Sequence, residues 1–217
     1  MAETGRAAGR NLVVFVRAPL SGTVKRRLAA GIGAPAARRF YLDTTRAVIG
    51  RLANDARWTT WLAVTPDRFA RRGRFWPSGA RRFAQGRGDL GERMTRALMR
   101  FGGAPTVIVG SDIPDLSARH VAAAFAALGR AETVFGPAGD GGYWLVGCRV
   151  PSLMRRLFGC VRWSGPHALA DTLANVEGRR VALLDVLDDV DDAADLARLK
   201  RVAVRGRVRP SPAAIAR

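Results

Sequence analysis

The chain has 217 residues, of which 48% are hydrophobic and 25% are charged, and this balance is typical of a single globular domain. Its apolar stretches are short and interrupted by Arg, Asp or Gly, which excludes a membrane-spanning helix, and residues 1–10 lack the apolar region of a secretory signal. Two cysteines and two histidines form neither a disulfide framework nor a zinc pattern. We therefore expect a cytoplasmic protein.

The formal net charge is +18, which would suit nucleic acid, an anionic membrane or a polyanionic small ligand. The basic residues are spread along the chain, and lysine occurs only at Lys25 and Lys200. Abundant Arg, Ala and Gly together are typical of a GC-rich genome, and no nucleic-acid-binding motif accompanies the charge. The sequence therefore favours a nucleotide as the small-molecule partner over nucleic acid, and it leaves the oligomeric state open.

The first predicted strand, residues 11–17, is followed by a loop over residues 18–23 and by a helix from about residue 24. Lys25, Arg26 and Arg27 lie where this helix begins. Free backbone N–H groups at such a position attract anions. The alternative is an ordinary strand–helix turn with solvated arginines, because the spacing matches neither a Walker loop nor G-x-G-x-x-G.

Strands and helices then alternate along the chain. Further strands are predicted at residues 58–64, 81–84, 106–109, 133–136, 143–148 and 180–184. Helices are predicted at about residues 35–53 and at residues 118–128. Another is predicted from Asp89, as N-cap, to about residue 101, and a further helix begins at Ser164 as N-cap. The last predicted helix ends at about residue 200.

This alternation predicts an α/β protein, namely a three-layer α/β/α sandwich with a mostly parallel, Rossmann-like mixed sheet. A hairpin at the turn 137–142 would add one antiparallel strand. We expect one domain over residues 11–204, with disordered tails at residues 1–10 and 205–217.

Asp112 directly follows the buried strand 106–109, at the edge of the sheet where ligands bind in open α/β folds. It is expected to hold a divalent cation over a phosphorylated ligand, although a turn or cap role is the alternative. Glu92 and Arg93, on the helix capped by Asp89, are expected to face the same crevice.

Two other acidic sites leave alternatives open. Asp140 lies in a glycine-rich turn, which is either a plain hairpin or a place where Gly141 and Gly142 make room for a substrate that Asp140 contacts. The aspartates between residues 185 and 195 are either a solvated helix cap or the source of a second metal ligand.

The sequence resembles a bacterial transferase family in five ordered blocks. Residues 15–28 resemble the signature F-x-K-x-P-x-x-G-x-V-K-T-R-L, and residues 85–94, 110–116, 136–143 and 189–196 resemble later blocks. The family is often described as arsenosugar-biosynthesis or radical-SAM/selenodomain-associated glycosyltransferases. It belongs to the GT-A-fold nucleotide-diphospho-sugar transferases and is similar in outline to the phospholactate guanylyltransferases.

The resemblance implies roles for particular residues. The loop containing Ala18, Pro19, Gly22, Lys25 and Arg27 would bind the phosphates of the nucleotide. Asp112 and Asp191 would hold the metal. The remaining binding residues implied are Gly88, Asp89, Ser111, Gly141, Gly142 and Tyr143, with Asp140 beside the last three on the sugar or acceptor side. Arg17 and Arg26 depart from the usual Lys and Thr of the first block.

The implied activity is that of a metal-dependent glycosyltransferase with a nucleotide-diphospho-sugar donor and Mg²⁺ or Mn²⁺ as cofactor. Asp112, Asp140 and Lys25 would be the catalytic residues. The sequence does not fix a general base, and Asp140 is the best candidate by position. The alternative is a nucleotidyltransferase, of the guanylyl or cytidylyl type, that acts on a phosphorylated or hydroxy-acid molecule and releases pyrophosphate. The sequence does not identify the nucleotide base, the sugar or the acceptor.

Overall fold

The computed structural model describes residues 9–20, 22–72, 75–77 and 80–207, which are arranged around a seven-stranded sheet. The strands are β1 (Asn11–Arg17), β2 (Thr59–Thr65), β3 (Arg81–Ala84), β4 (Thr106–Gly110), β5 (Thr133–Pro137), β6 (Tyr143–Cys148) and β7 (Val181–Leu183). The helices are α1 (Arg26–Ile32), α2 (Ala34–Ala53), α3 (Arg68–Arg71), α4 (Leu90–Met99), α5 (Ala118–Leu128), α6 (Pro151–Met154), α7 (Ala168–Ala174) and α8 (Ala193–Arg207). Among these helices, none has both the length and the apolarity to cross a bilayer.

The strands lie in the order β3-β2-β1-β4-β6-β5-β7, and within this sheet β6 alone runs antiparallel to its neighbours. β1 pairs in parallel with β2 and β4, and the pairs β2–β3 and β5–β7 are also parallel. In the turn before β6, the Ala138 N–H donates to the Gly142 carbonyl at 3.0 Å. The predicted mostly parallel sheet with one antiparallel strand is confirmed.

Helices cover both faces of the sheet, which explains why its central strands are apolar throughout. Val14 of β1 shares a buried cluster with Val48 of α2 and Phe125 of α5. Its neighbour Val13 belongs to a second cluster, with Leu98 of α4. Because successive side chains of a strand point to opposite faces, these two clusters lie on opposite sides of the sheet. The three-layer α/β/α architecture is confirmed.

The chain changes direction across the sheet at β1. It proceeds from β1 to β2 and β3 on one side, and then returns to β4 on the other side of β1. The loops that follow β1 and β4 therefore leave the same edge of the sheet in opposite directions and open a crevice between them, which is where open α/β sheets bind ligands. β5 and β7 run in the same direction as β4, so the segments that follow them end at this edge as well.

The helical boundaries near residue 165 differ from the prediction. Ser164 is not an N-cap, because its φ of 65° places it in a left-handed loop conformation and the helix α7 begins only at Ala168, after His167. The short helix α6, which has Pro151 in its first turn, was not predicted. Residues 1–8 and 208–217 of the predicted tails lie outside the described ranges, and α8 continues to Arg207.

Candidate functional site

Lys25 lies at the end of the loop after β1 and is the N-cap residue of α1. Its backbone has φ 46° and ψ 53°, a left-handed conformation that side-chain-bearing residues rarely adopt. Its side chain is only 4% exposed. Strained backbone of this kind is found preferentially at functional sites, where the surrounding structure holds it in place.

Three carboxylates surround the Lys25 ammonium group. Its Nζ lies 2.7 Å from Asp112 Oδ2, 2.9 Å from Asp189 Oδ2 and 3.0 Å from Asp191 Oδ1. Asp112 comes from the loop after β4, whereas Asp189 and Asp191 come from the segment between β7 and α8. The fold thus gathers three distant parts of the chain around one cation, and we call these four side chains the Lys25 cluster.

The two segments that carry the carboxylates are themselves held in place. The Tyr41 hydroxyl accepts a hydrogen bond from the Arg17 N–H at 2.9 Å and donates to the Arg17 carbonyl at 3.0 Å. It also lies 3.4 Å from the Ser111 hydroxyl, which links the end of β1 to the loop after β4. On the other side, the Asp191 N–H donates to Asp195 Oδ2 at 3.0 Å.

The proton affinities of the Lys25 cluster reflect burial and charge together. Burial disfavours the charged form of Lys25, but Asp112 and the other carboxylates outweigh it and raise the pKa of Lys25. Burial raises the pKa of Asp189 to about 6, with Asp112 and Asp191 adding to the rise and Lys25 opposing it. Burial also acts to raise the pKa of Asp191, but attraction to Lys25 prevails and lowers it. With three carboxylates around one ammonium, the cluster has an excess of negative charge at neutral pH.

A basic cavity of about 600 Å³ lies on one side of the Lys25 cluster, at the carboxyl ends of β1 and β2. Two carboxylates, Asp112 and Asp191, contribute to its wall. In the part of the chain that the structure describes, its positive charge comes from five side chains, namely Arg17, Lys25, Arg26, Arg27 and Arg93.

An apolar cavity of about 670 Å³ lies on the other side and shares Asp112, Asp191 and Arg27 with the basic cavity. Its apolar wall includes Phe15, Leu90, Met94, Tyr143, Trp163 and Pro166. Its carboxylates are Asp112, Asp140, Asp189 and Asp191, and Arg27 is the basic residue that the described ranges contribute to its wall. Burial raises the pKa of the Tyr143 phenol, so this side chain is neutral.

The structure brings many of the predicted site residues to these cavities. One or both cavities are lined by Lys25, Arg27, Ser111, Asp112, Asp140, Gly142, Tyr143 and Asp191. Neither cavity is lined by the other predicted residues, which are Ala18, Pro19, Gly22, Gly88, Asp89 and Gly141.

Local contacts explain the placement of some residues outside the cavities. The Asp89 side chain accepts a hydrogen bond from the Glu92 N–H at 2.8 Å, and the Glu92 carboxylate accepts one from the Asp89 N–H at 2.8 Å. Glu92 therefore completes the cap of α4 and does not face the crevice as predicted, whereas Arg93 does line the basic cavity. Gly141 lies so close to the backbone of Pro166 that a side chain would not fit there.

Sequence reasoning missed Asp189 as a site residue. It lay within the last block of the family resemblance, but nothing in the run of aspartates from 185 to 195 separates the residues that reach Lys25 from those that do not. Leu90 and Trp163 were missed as well, because apolar residues beside a helix start are usually interpreted as core. A raised pKa next to a buried cation is the structural signal that identifies Asp189.

The two predicted metal ligands lie around a side-chain cation in this structure. Within the described ranges, no three His, Cys, Asp or Glu side chains are arranged as a metal site. Asp112 and Asp191, the two predicted metal ligands, are instead both paired with the Lys25 ammonium group. The donor chemistry does fit Mg²⁺ or Mn²⁺, because the carboxylate oxygens that these ions prefer converge on one cation.

The sheet order, the flanking helices and the crevice at the ends of β1 and β4 define the fold of the nucleotide-diphospho-sugar transferases. The chain belongs to the family described as "Uncharacterized protein conserved in bacteria (DUF2064)", which matches residues 48–165, more than half of the chain. No curated protein sequence matches it.

Several solved structures are similar to this chain. A protein from Desulfovibrio desulfuricans G20, proposed to be a nucleotide-diphospho-sugar transferase, is 28% identical with a TM-score of 0.80, and the match covers 95% of this chain and 92% of that chain. Rv0371C from Mycobacterium tuberculosis H37Rv, in complex with manganese, is 18% identical with a TM-score of 0.52 over 88% and 97% of the two chains. A cytidylyltransferase from Leptospira borgpetersenii serovar Hardjo-bovis (strain JB197) is 14% identical with a TM-score of 0.57 over 97% and 100%. The last two matches show similarity of fold alone.

Proposed function

We propose that the chain is a metal-dependent glycosyltransferase that uses a nucleotide-diphospho-sugar donor. The observation that carries this proposal is the position of the Lys25 cluster, at the junction of a basic cavity and an apolar cavity. A sugar attached to a diphosphate has one anionic end and one uncharged end, and the basic cavity suits the anionic end. The likeness to the Desulfovibrio protein supports the same class of donor.

The basic cavity would bind the nucleotide diphosphate. Its arginines can each donate several hydrogen bonds to phosphate oxygens, and Arg17 and Arg93 reach it from β1 and α4. Lys25 lines this cavity, and its ammonium group is already held by the three carboxylates. Positive charge at this position would stabilise a diphosphate as it leaves the sugar.

Asp112, Asp189 and Asp191 are the residues that would hold Mg²⁺ or Mn²⁺. When bound, such an ion would offset the negative charge that develops on the leaving diphosphate. Lys25 now neutralises these carboxylates in part, so its ammonium group would have to move away from at least one of them. The manganese bound by the Mycobacterium tuberculosis protein supports a divalent cation in a protein of this fold.

Asp140 would act on the acceptor. Its Oδ1 accepts a hydrogen bond from the Gly142 N–H at 2.9 Å, and its side chain lines the apolar cavity. In an inverting transfer, the acceptor oxygen bonds to the anomeric carbon, the bond from that carbon to the diphosphate oxygen breaks, and Asp140 takes the hydroxyl proton.

A nucleotidyltransferase is the second candidate function. The five basic side chains of the basic cavity would also suit a triphosphate, and the Leptospira cytidylyltransferase shares this fold. The products distinguish the two reactions, because a nucleotidyltransferase releases pyrophosphate and a glycosyltransferase releases a nucleoside diphosphate.

A thermal-shift comparison of two variants tests the proposed site. We expect nucleoside diphosphates and nucleotide sugars to raise the melting temperature of the wild-type protein, and to raise it more with Mn²⁺ present. Asp112→Asn should abolish the additional Mn²⁺-dependent shift. Asp115→Asn is the matched control, since Asp115 lies in the same loop but is exposed and lines neither cavity. Equal Mn²⁺-dependent shifts in both variants would show that the nucleotide and metal site lies elsewhere.

A further inference from the structure

The charges in the walls of the two cavities are opposite in sign. Among the described residues, five basic side chains and two carboxylates line the basic cavity, whereas four carboxylates and one basic side chain line the apolar cavity. We propose that the apolar cavity binds the acceptor, and that this acceptor is a neutral, apolar or aromatic molecule with a hydroxyl group. The assignment of the ligand as an acceptor rests on the function proposed above, but the chemical class follows from the cavity itself.

An anionic acceptor would meet unfavourable charges in this cavity. A phosphate or carboxylate group would lie among Asp112, Asp140, Asp189 and Asp191, and like charges at short range repel one another. Arg27 offsets little of this repulsion, because its side chain is 78% exposed and its Nη1 already lies 3.6 Å from Asp191 Oδ2. Lys25 is held by three carboxylates and does not line this cavity. Without a divalent cation on Asp112, Asp189 and Asp191, the cavity thus selects against the phosphorylated and hydroxy-acid substrates of the alternative reaction.

The apolar wall indicates what would bind instead. Leu90 is 39% exposed at the start of α4, whereas the other leucines in the described helices are buried or half-buried, and it lines both cavities. The Trp163 ring lies 6.1 Å from that of Phe158, so it presents a supported aromatic surface. A ligand that covers Leu90 and Trp163 removes apolar surface from water, which favours binding of an apolar or aromatic group.

The polar end of the cavity suits a hydroxyl group. Asp140 is exposed there and can accept a hydrogen bond from a hydroxyl donor. A carboxylate has no hydrogen to donate, so it would gain no such bond. The cavity thus combines an apolar wall with an acceptor of hydrogen bonds, as expected for a site that binds an alcohol and activates it.

Fluorine NMR with two matched probes tests this inference. The probes are 4-(trifluoromethyl)benzyl alcohol and 4-(trifluoromethyl)benzoate, which share the ring and the fluorine reporter and differ in the charge of one group. We expect line broadening of the alcohol at concentrations where the benzoate shows none, with at least about ten-fold tighter binding of the alcohol. Benzoate binding that equals or exceeds that of the alcohol would overturn the inference.

Variants of two exposed leucines show whether the alcohol occupies this cavity. Leu90→Asn should weaken alcohol binding about five-fold, because it replaces part of the apolar wall at an exposed helix start. Leu183→Asn is the matched control, since Leu183 is 58% exposed and lies outside both cavities. Equal alcohol affinities in the two variants would also overturn the inference.

The nucleotide thermal shift, measured on the same preparations, separates the two proposals. If nucleotides with Mn²⁺ stabilise the protein but the alcohol does not bind, the acceptor inference fails and the glycosyltransferase proposal stands. If the alcohol binds selectively in a manner that depends on Leu90 but no nucleotide stabilises the protein, the cavity assignment stands and the glycosyltransferase proposal fails.

Discussion

Lys25 serves as the counter-ion of the site, and its removal should be measurable in stability. In Lys25→Met the three carboxylates lose their shared partner, so we expect the free energy of unfolding to fall by about 1–3 kcal/mol. The carboxylates are partly exposed, so this loss is smaller than for a fully buried ion pair. Urea denaturation measures this change. Mn²⁺ should then raise the melting temperature of Lys25→Met more than that of the wild type, because it replaces the missing cation.

Arg39→Met provides the control for the removal of a basic side chain. Arg39 is exposed and pairs with Asp43 four residues later at 3.2 Å, an interaction of small energetic weight. We expect no measurable change in stability and no altered response to Mn²⁺. The account of Lys25 is contradicted if Mn²⁺ stabilises the wild type and Lys25→Met to the same extent.

Individual residues show how far sequence reasoning could go. Asp112 was singled out because an acidic residue directly after a buried strand has a specific location in this fold, and the structure places it in the Lys25 cluster. Asp89 was predicted as an N-cap from local spacing, and this is confirmed. The pairing of Lys25 with Asp189 and Asp191 spans 164 and 166 residues and depends on strand order, so local pattern could not predict it.

Among the elements, the contact between α1 and α8 sets the relative positions of Lys25, which directly precedes α1, and Asp191, which lies just before α8. A side chain added at Gly31 of α1 would lie 2.7 Å from the Ala193 Cβ at the start of α8. Gly31→Ala should therefore displace α8, with Asp191 just before it, and lower the free energy of unfolding by about 1–2 kcal/mol. Mn²⁺-dependent nucleotide binding should weaken at the same time, as measured by thermal shift.

Gly50→Ala is the matched control for the α1–α8 contact. Gly50 also lies within a helix, but a side chain there would contact nothing within 4 Å. Alanine is the better helix former, so we expect this variant to be more stable by about 0.5–1 kcal/mol. The importance of the α1–α8 contact is refuted if Gly31→Ala gains stability as Gly50→Ala does.

The loop that carries Trp163 is attached to α7 through Asp171. The Asp171 carboxylate accepts hydrogen bonds from the Arg162 N–H at 2.9 Å and from the guanidinium at 2.9 and 2.7 Å, and the Arg162 guanidinium lowers the pKa of Asp171. Because the pKa is lower in the folded than in the unfolded state, the ionised carboxylate stabilises the fold above about pH 4. That contribution is lost as the pH falls towards the folded-state value.

Asp171→Asn should remove this pH-dependent contribution. We expect a lower melting temperature at pH 7 and a shallower decline below about pH 4 than in the wild type. Asp43→Asn, which breaks an exposed pair within one helix, serves as the control and should follow the wild-type curve. Melting curves of Asp171→Asn that coincide with those of the wild type at every pH would show that the loop is held by other contacts.

Element positions were predictable where the sequence pattern is strong. The strands β1 and β4 and the helix α5 follow the predicted bounds closely. Uninterrupted apolar strands and a capped amphipathic helix have clear sequence patterns. The start of α7 was misplaced because Ser164, Gly165 and Pro166 resemble a helix cap in sequence. In the structure Ser164 has a φ of 65°, and the Leu169 N–H donates to the Gly141 carbonyl at 3.0 Å, a contact between distant segments that the local sequence does not contain.

For the molecule as a whole, the division of charge between the two cavities matters more than the net charge of +18. Nucleotide binding in the basic cavity depends on charge, whereas alcohol binding in the apolar cavity does not. Raising NaCl from about 50 mM to about 500 mM should therefore weaken nucleoside diphosphate binding and leave the affinity for 4-(trifluoromethyl)benzyl alcohol unchanged. Calorimetry and fluorine NMR measure the two affinities. Parallel loss of both affinities would contradict the separation of charge between the cavities.

The most direct measurement of the central claim is the product formed from nucleotide substrates. The protein would be incubated with Mn²⁺ and either nucleotide sugars or nucleoside triphosphates, and the phosphate-containing products separated by anion-exchange chromatography. We predict nucleoside diphosphate release from at least one nucleotide sugar, with water as acceptor, that is lost in Asp112→Asn and kept in Asp115→Asn. Pyrophosphate release from triphosphates, without nucleoside diphosphate from any nucleotide sugar, would contradict the glycosyltransferase proposal.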